Sequence, residues 1–524
     1  MTMRKISIIT LVLAVVMIAN QSCTKTYFDI NKDPNNITSG TVTYDVVLPA
    51  ALSTSGSIIA TQWGFLQNWM GYWARSGSYS ANSVEETYNI TTSFGTGIWS
   101  NLLDNNYDYQ VIINKANTAG AGFYEGIARI MRAHNTALLV DLYNNVPYSQ
   151  AGQGASGNIT PAYDNGLTVY KDLFRQLDTA ISLIKVASTT GPNKGITEND
   201  IMFKGNNALW VKFANTLKLR MIIHMHKVPT TEFDRASEVA KIVAEGSGYL
   251  GAGENAAVNP GYAADKPNPF YNSFIKDAAG NATGNNRYYA ANKWAMEYYK
   301  WNGDLRQNYF YAPVGGTGTT YTGVDYGLPP STTNAYTSLS LIGAGLGKSP
   351  TMSQWILTGT ESLFLQAEAA QRGFITGTAA TLLSSAIAES FSWLGVPTTT
   401  QTASGYLSFN ATYTDCDISA AAAPASATAT ATGDKNFTIL SQKMFALNGI
   451  APFEIFTDWR RTDIIYGTGN AGYTPGPALS VSPAVGSNKI PTRLFYPQNE
   501  YNYNAAAVAA QGTITAQTKI FWDR

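Results

Sequence analysis

Residues 124–148 read YEGIARIMRAHNTALLVDLYNNVPY. Ile127, Ile130, Met131, His134, Leu138 and Leu142 recur at steps of three and four, which places them on one face of a helix with 3.6 residues per turn. The helix is predicted to stop at Asn144-Asn145-Val146-Pro147, because proline lacks the N–H that would continue the ladder and its ring collides with the preceding turn. The next periodic stretch, Val169–Ile184, offers Leu173, Leu177, Ala180, Ile181 and Ile184 as a matching face. Two apolar faces joined by a loop bury each other, so the expected unit is a helical hairpin.

The same periodicity extends in both directions. Upstream, Tyr44–Leu52, Ile58–Trp73 and Trp99–Ile113 carry apolar residues at helical spacing. Downstream, Asn207–His226 sets Trp210, Phe213, Leu217 and Met221 on one face, and Glu232–Glu245 follows Pro229. Ser362–Arg372 and Ala379–Leu394 form a further pair around Gly373 and Gly377, and Phe437–Leu447 with Ile450–Arg461 forms another. The fold class is therefore all-α dominated, built of tetratricopeptide-like helical hairpins, although no strict thirty-four-residue period is present. Between the pairs lie long irregular stretches: Gly246–Thr283, Pro313–Pro350 and the Ala/Thr-rich run Ala411–Gly433. Loops of that length are functional or disordered; the first two are expected to be binding surface and the third a mobile excursion. Ser480–Asn504 should wrap the helical body, and the terminal Phe521-Trp522 should dock on it.

The first residues carry a different message. Arg4-Lys5 precedes the apolar block Ile6–Ala19 and then Ser22-Cys23. A short basic patch and an apolar run below the ~20 residues of a membrane span read as a secretory signal. A small residue immediately before a cysteine is the cleavage pattern of a bacterial lipoprotein, so residues 1–22 are expected to be a signal peptide and Cys23 the acylated first residue. Several acyl chains, at ~0.8 kcal/mol per buried methylene, hold a protein firmly on a bilayer. Residues 23–43 then read as a polar tether, with residues 44–524 as the helical domain. With Cys23 acylated, the only other cysteine, Cys416, has no partner for a disulfide, and the spacing of cysteines and histidines builds no metal site. No cofactor is expected.

Charge narrows the partners. Charged residues make up 13% of the 524, split evenly at 35 positive and 35 negative, well below the ~25% of ordinary soluble domains. A chain without a basic stripe is a poor partner for nucleic acid. Asn, Thr, Ser, Gly and 31 tyrosines replace charge. Ring faces stack on C–H surfaces while amides and hydroxyls meet hydroxyls, so an uncharged polar ligand, sugar or peptide, fits this surface.

The ordered landmarks resemble the SusD/RagB-like nutrient-binding lipoproteins, specifically the SusD-like 2 branch, over nearly the whole mature chain. They are Phe28-Asp29-Ile30-Asn31-Lys32-Asp33-Pro34-Asn35; Gly126 to His134 running on to Asp141-Leu142-Tyr143 and Val146-Pro147-Tyr148; and Trp210 to Met221. Later come Ala367-Glu368-Ala369-Ala370-Gln371-Arg372-Gly373, Gln442-Lys443, Trp459-Arg460-Arg461-Thr462, and Ile490-Pro491-Thr492-Arg493 with Tyr496-Pro497 and Glu500. The resemblance implies four tetratricopeptide-like units with a ligand site built from loops. It also implies a lipoprotein on the outer membrane, facing the cell exterior. Such a protein acts as a lid on a SusC-like TonB-dependent transporter and delivers an oligosaccharide, or in some members a peptide. Two departures stand near the anchor: Asn20 sits three residues before Cys23 in place of an aliphatic, and Thr24-Lys25-Thr26 replaces an acidic run.

Ligand contacts are sought among aromatics in irregular sequence, where a helical core does not claim them. Trp73, Arg75 and Tyr79 follow a predicted helix end, where the resemblance places sugar-stacking rings. Asn268, Tyr271, Asn285, Asn286, Arg287, Tyr288 and Tyr289 form a second group of amides, one guanidinium and rings. Trp294, Tyr298 and Tyr299 sit at helical spacing and are assigned to packing. Arg129, Arg132, Arg220, Arg460 and Arg461 are expected to hydrogen-bond across helices. His224 and His226, two apart on a helix, are a poor metal pair and read as one core and one surface residue. Glu85-Glu86 and Asp415/Asp417 read as solvated carboxylates, not as the opposed acid/base pair that glycoside hydrolysis requires. No catalytic residue is assigned. The alternatives to a binding lipoprotein are a surface glycan hydrolase and a scaffold lipoprotein that binds only protein.

Overall fold

Helices dominate the computed structural model, which describes residues 42–418, 435–467 and 473–524. The signal peptide, Cys23, the tether as far as residue 41 and residues 419–433 of the Ala/Thr run lie outside the described residues. In chain order the elements used below are α1 (Tyr44–Thr61), β1 (Trp73–Arg75), α2 (Thr96–Ala119), α3 (Gly122–Tyr143), α4 (Gly166–Val186), α5 (Asn207–His224) and α6 (Arg235–Glu245). They continue with β2 (Ala256–Val258), α7 (Gly284–Tyr288), β3 (Tyr289–Ala291), α8 (Lys293–Trp301), β4 (Gln354–Leu357), α9 (Gly359–Gln371), α10 (Ala379–Leu394), α11 (Asn436–Ala446) and α12 (Pro452–Thr462). A compact unit runs from Tyr44 to Arg524.

Helical hairpins make the body. α2 packs on α3, α3 on α4, α4 on α5, and α9 on α10. Gly120 closes α2 with φ +70° and returns its N–H to Asn117 O and Ala116 O, a left-handed cap that only glycine adopts without strain. α3 starts two residues later, so the pair is antiparallel. Within α3, a Cβ on Gly126 would stand 2.6 Å from Ile184 Cγ1 and 3.0 Å from Ala180 O; the missing side chain lets α3 and α4 approach. α3 ends at Tyr143, where Asn144 takes φ +69°, at the Asn-Asn-Val-Pro stop. α10 occupies the span that periodicity predicted.

The predicted break after Leu52 and the helix Ile58–Trp73 are corrected. α1 runs unbroken through Ser53-Thr54-Ser55-Gly56, ends at Thr61, and only Gly64–Trp69 is helical beyond it. Tertiary contacts override the weak local propensity: Ser55 Oγ donates to Asn105 Oδ1 at 2.6 Å and lies 2.8 Å from Tyr109 Oη on α2. Gly56 meanwhile admits Val258. Gly71, at φ +75°, then turns the chain so that Trp73 enters a strand.

The long irregular stretches are tied down by short pairings. β2 pairs antiparallel with β4, and single bridges join Ala290 to Leu341, Tyr311 to Ile342 and Asn292 to Val324. The C-terminal stretch wraps the body as expected. Leu494 N donates to Leu142 O at 3.0 Å, Tyr496 Oη to Asn145 O at 2.8 Å, and the buried Trp522 Nε1 to Asp141 Oδ1 at 2.7 Å.

Several of the ordered sequence landmarks converge on one buried charge network. His224 on α5 lies 3.2 Å from Asp141 on α3 and 3.0 Å from Glu454 on α12. Lys443 on α11 meets Glu454 at 2.7 Å and Asp458 at 2.9 Å. Arg461 joins Asp458 (2.5 Å) to Glu368 on α9 (2.6 Å), and Arg372 pairs with Glu368 at 2.8 Å. Arg220 reaches Glu361 at 3.4 Å. Arg460 instead caps backbone, donating to Asp141 O at 2.6 Å and Thr492 O at 3.0 Å. Burying so many charges costs desolvation that only mutual pairing offsets, so each helix is bound to its neighbours' register. His226 is half-buried, not on the surface; nearby Arg461 and Arg372 add to burial in lowering its pKa to about 2.

Candidate binding surface

A three-residue ladder brings together segments more than two hundred residues apart. β1 pairs antiparallel with β3, Trp73 opposite Ala291 and Arg75 opposite Tyr289. Ser76 extends it, its N–H donating to Tyr288 O at 2.8 Å and its Oγ to Arg287 O at 2.7 Å. Beyond the ladder, Tyr79 Oη donates to Gly284 O at 3.2 Å, and its ring meets that of Tyr288 edge-on with centroids 5.3 Å apart. Tyr288 in turn meets Tyr289 at 4.8 Å.

A third segment closes on the same place. Gly77 N donates to Asn334 O at 2.7 Å and Tyr336 N to Ser78 Oγ at 3.1 Å. The Arg287 guanidinium lies over the Tyr336 ring, 5.7 Å from its centroid. The product is a patch of three half-buried phenol rings, Tyr79, Tyr288 and Tyr336, with exposed Asn285 and Arg287 beside them. Rings with reachable faces next to an amide and a guanidinium can stack on a sugar and hydrogen-bond its hydroxyls.

The two groups expected from sequence are thus joined, but not all members reach the surface. Trp73 is 1% exposed, its ring between Phe274 at 5.4 Å and Tyr289 at 5.2 Å; it has no free face, so its assignment as a stacking platform is corrected. Arg75 is also buried. It pairs with Glu86 at 2.5 Å and donates to Tyr79 O at 2.8 Å and Leu328 O at 2.6 Å, so it fastens loops together and is not free to meet a ligand. Asn268 is buried as the cap of the short helix Pro269–Phe274, accepting from Tyr271 N at 3.0 Å and donating to Met352 O at 3.1 Å. Tyr271 lies half-buried on that helix. Asn286 spends its amide on Phe274 O at 3.0 Å, whereas Asn285 reaches only Ser273 Oγ, at 3.3 Å. Tyr289 is half-buried against Trp73 and Phe274. Trp294, Tyr298 and Tyr299 are buried packing residues, as expected.

Three of the four carboxylates read as solvated, Glu85, Glu86 and Asp415, are buried, and Asp417 is half-buried. Asn82 Oδ1 accepts from Glu85 N at 3.2 Å and Asn82 O from Glu86 N at 2.8 Å, a turn that folds both side chains inward. Glu86 is neutralised by Arg75. Glu85 receives Asn68 Nδ2 at 2.6 Å, and Tyr326 Oη and Asn82 Nδ2 at 3.3 Å each. Burial nonetheless lifts its pKa from 4.5 to about 7. Asp415 is likewise buried, and burial raises its pKa. Tyr336 is the residue that sequence reasoning missed. It lies within the predicted binding stretch 313–350, and the rule applied elsewhere, an aromatic in irregular sequence, would have selected it.

The chain matches a family model, SusD-like 2, described as starch-binding associating with outer membrane, over residues 34–497. Among solved structures, a SusD homolog from Bacteroides uniformis is similar with a TM-score of 0.70 at 21% identity, covering 91% of this chain and 99% of that one. A chitin-binding SusD homolog from Flavobacterium johnsoniae gives a TM-score of 0.70 at 23% identity, covering 91% and 98%. A SusD-like protein from Bacteroides thetaiotaomicron gives 0.67 at 23% identity with the same coverage. Likeness at that identity establishes the fold. Comparison with curated protein sequences finds no match.

Proposed function

This chain belongs to the SusD-like 2 family, and from that membership we propose that it captures an oligosaccharide at the tyrosine patch and passes it to a membrane transporter. The observation that carries the reading is the convergence of Tyr79, Tyr288 and Tyr336 with Asn285 and Arg287 on one loop-built surface of a SusD-like fold. In this reading residues 1–22 are removed, Cys23 is acylated and residues 23–43 tether the binding domain to the outer membrane, facing the cell exterior. The transporter is a SusC-like TonB-dependent barrel, over which the protein acts as a lid. Among the described residues no helix is long and apolar enough to cross a membrane, which is compatible with attachment through lipid.

The reading assigns the protein no chemistry. Glu85 and Glu86 are neighbours on one turn, the second neutralised by Arg75, whereas a glycosidase sets two carboxyls on opposite sides of one bond. The test is calorimetry of the mature protein, with its lipid in detergent, against a panel of oligosaccharides and peptides. Tyr79→Ala and Tyr336→Ala are measured alongside. At least one glycan should bind and each substitution should weaken it about fivefold, since a ring contact is worth ~1 kcal/mol. Binding insensitive to both substitutions would place the site elsewhere, and turnover of the glycan would make the protein a hydrolase. Co-purification from native outer membrane should bring down a stoichiometric TonB-dependent barrel; its absence would remove the lid role.

A further inference from the structure

We propose that the oligosaccharide recognised at this surface carries an oxyanion, a uronate carboxylate or a sulfate ester, and that Arg287 reads it; the inference rests on the binding reading above.

Arg287 is the exception among the arginines of the described residues. Arg132 also lies over a ring, 4.9 Å from the Tyr148 centroid, but is half-buried there; each of the others gives its guanidinium to a carboxylate, a backbone carbonyl or a side-chain oxygen within the chain. Arg287 is exposed and meets only the Tyr336 ring, 5.7 Å from its centroid. A guanidinium held over an aromatic face keeps its in-plane N–H edge for other partners. That edge matches a carboxylate or sulfate with two parallel charge-assisted bonds. A neutral hydroxyl uses one donor and leaves the charge unanswered.

The arginine is also positioned in advance. Its own carbonyl accepts from Ser76 Oγ at 2.7 Å, and it sits in the last turn of α7, capped by Thr283 Oγ1 to Asn286 N at 3.0 Å. Tyr336 is fixed from the other side through Ser78. Less order is then lost on binding than for a free surface arginine.

The surroundings leave its charge unopposed. Beneath the patch Arg75 and Glu86 cancel one another, and burial raises Glu85 to about 7, so its negative charge is incomplete near neutrality. Among Tyr79, Asn285, Arg287, Tyr288 and Tyr336 the formal charge is that of Arg287. In a chain with only 13% charged residues and no net charge, one exposed cation among rings is a specific feature and not part of a charged field.

The experiment measures binding of matched pairs by calorimetry: oligogalacturonate against its methyl ester, and sulfated galactan oligosaccharide against the desulfated form. Wild type and Arg287→Gln are compared at 20 and 300 mM salt, with circular dichroism confirming that the variant is folded. Wild type should prefer the charged member of one pair by about tenfold. That preference should vanish in Arg287→Gln and shrink in high salt; which pair shows it separates carboxylate from sulfate. Equal binding of charged and neutral members, or a preference that survives Arg287→Gln, overturns the inference. Neutral binding that remains sensitive to Tyr336→Ala would still uphold the binding reading. If neither pair nor any glycan of the wider panel binds, or an acidic peptide binds instead, both fail.

Discussion

Replacing Glu85 by glutamine isolates one buried ionisation beneath the tyrosine patch. The folded-state pKa, about 7, lies above the ordinary 4.5. The folded protein therefore holds this proton more tightly than the unfolded chain. Stability from this group is complete below pH ~4.5, falls as pH rises through ~7 and is level above it. At ~1.4 kcal/mol per pH unit the loss amounts to about 3 kcal/mol. Glutamine keeps the acceptor that Asn68 and Tyr326 address but turns an N–H₂ toward Asn82 Nδ2, where Glu85 accepts at 3.3 Å. One weak hydrogen bond is lost, about 1 kcal/mol at every pH. The variant should be slightly less stable than wild type at pH 4.5 and about 2 kcal/mol more stable at pH 8. Urea unfolding of both proteins at pH 4.5, 6 and 8 checks this, because every other titrating group cancels in the difference. A difference constant to within ~0.5 kcal/mol across that range would falsify the burial argument for Glu85.

The remaining predictions concern the body and its border with the site. Arg461→Met should destabilise by about 3–5 kcal/mol in urea, because Glu368 and Asp458 lose the guanidinium that pairs them at 2.6 and 2.5 Å. Adding Glu368→Gln should recover part of that loss, where two independent sites would only add. Trp73→Ala should also cost about 3–5 kcal/mol, since the ring is core, whereas Tyr336→Ala should change the unfolding free energy by less than ~1 kcal/mol. Equal and small effects of the two would return Trp73 to the surface.

What the sequence disclosed and what it concealed divide along a physical line. Helices α4 and α10 were legible because their burial is one-sided and recorded in local periodicity; α3 and α5 are buried on nearly every side, and an apolar stripe at helical spacing still marked them as helices. α1 was only half legible, since Ser53-Thr54-Ser55-Gly56 stays helical through partners on α2 and β2. For the site, sequence separated two groups of rings and amides but could not show that β1 and β3 pair, a contact over two hundred residues long. Nor does local sequence encode depth. Trp73, Arg75 and Asn268 stand in loop-like sequence yet are buried, because the loops themselves pack. The pair Glu85-Glu86 looked solvated for the same reason.

That depth bears on how the surface can change. The tyrosine patch is assembled from three segments, around residues 79, 287 and 336. What joins them is buried and main-chain directed. The β1–β3 ladder and Ser76 join the first to the second, and Gly77 joins the first to the third. Arg75 clamps Tyr79 O and Leu328 O from below. Side chains that could face a ligand carry little of this load: Tyr79 adds one 3.2 Å bond to Gly284 O, and the Arg287 guanidinium adds only its ring contact. Substitutions at Tyr79, Asn285, Arg287 and Tyr336 should therefore change what binds while leaving the scaffold standing. Substitutions at Trp73, Arg75 or Glu86 should instead loosen all three segments at once and lose every ligand together. Arg75 is on this argument a positioning residue: Arg75→Met should weaken charged and neutral glycans alike, in contrast to the selective loss expected from Arg287→Gln.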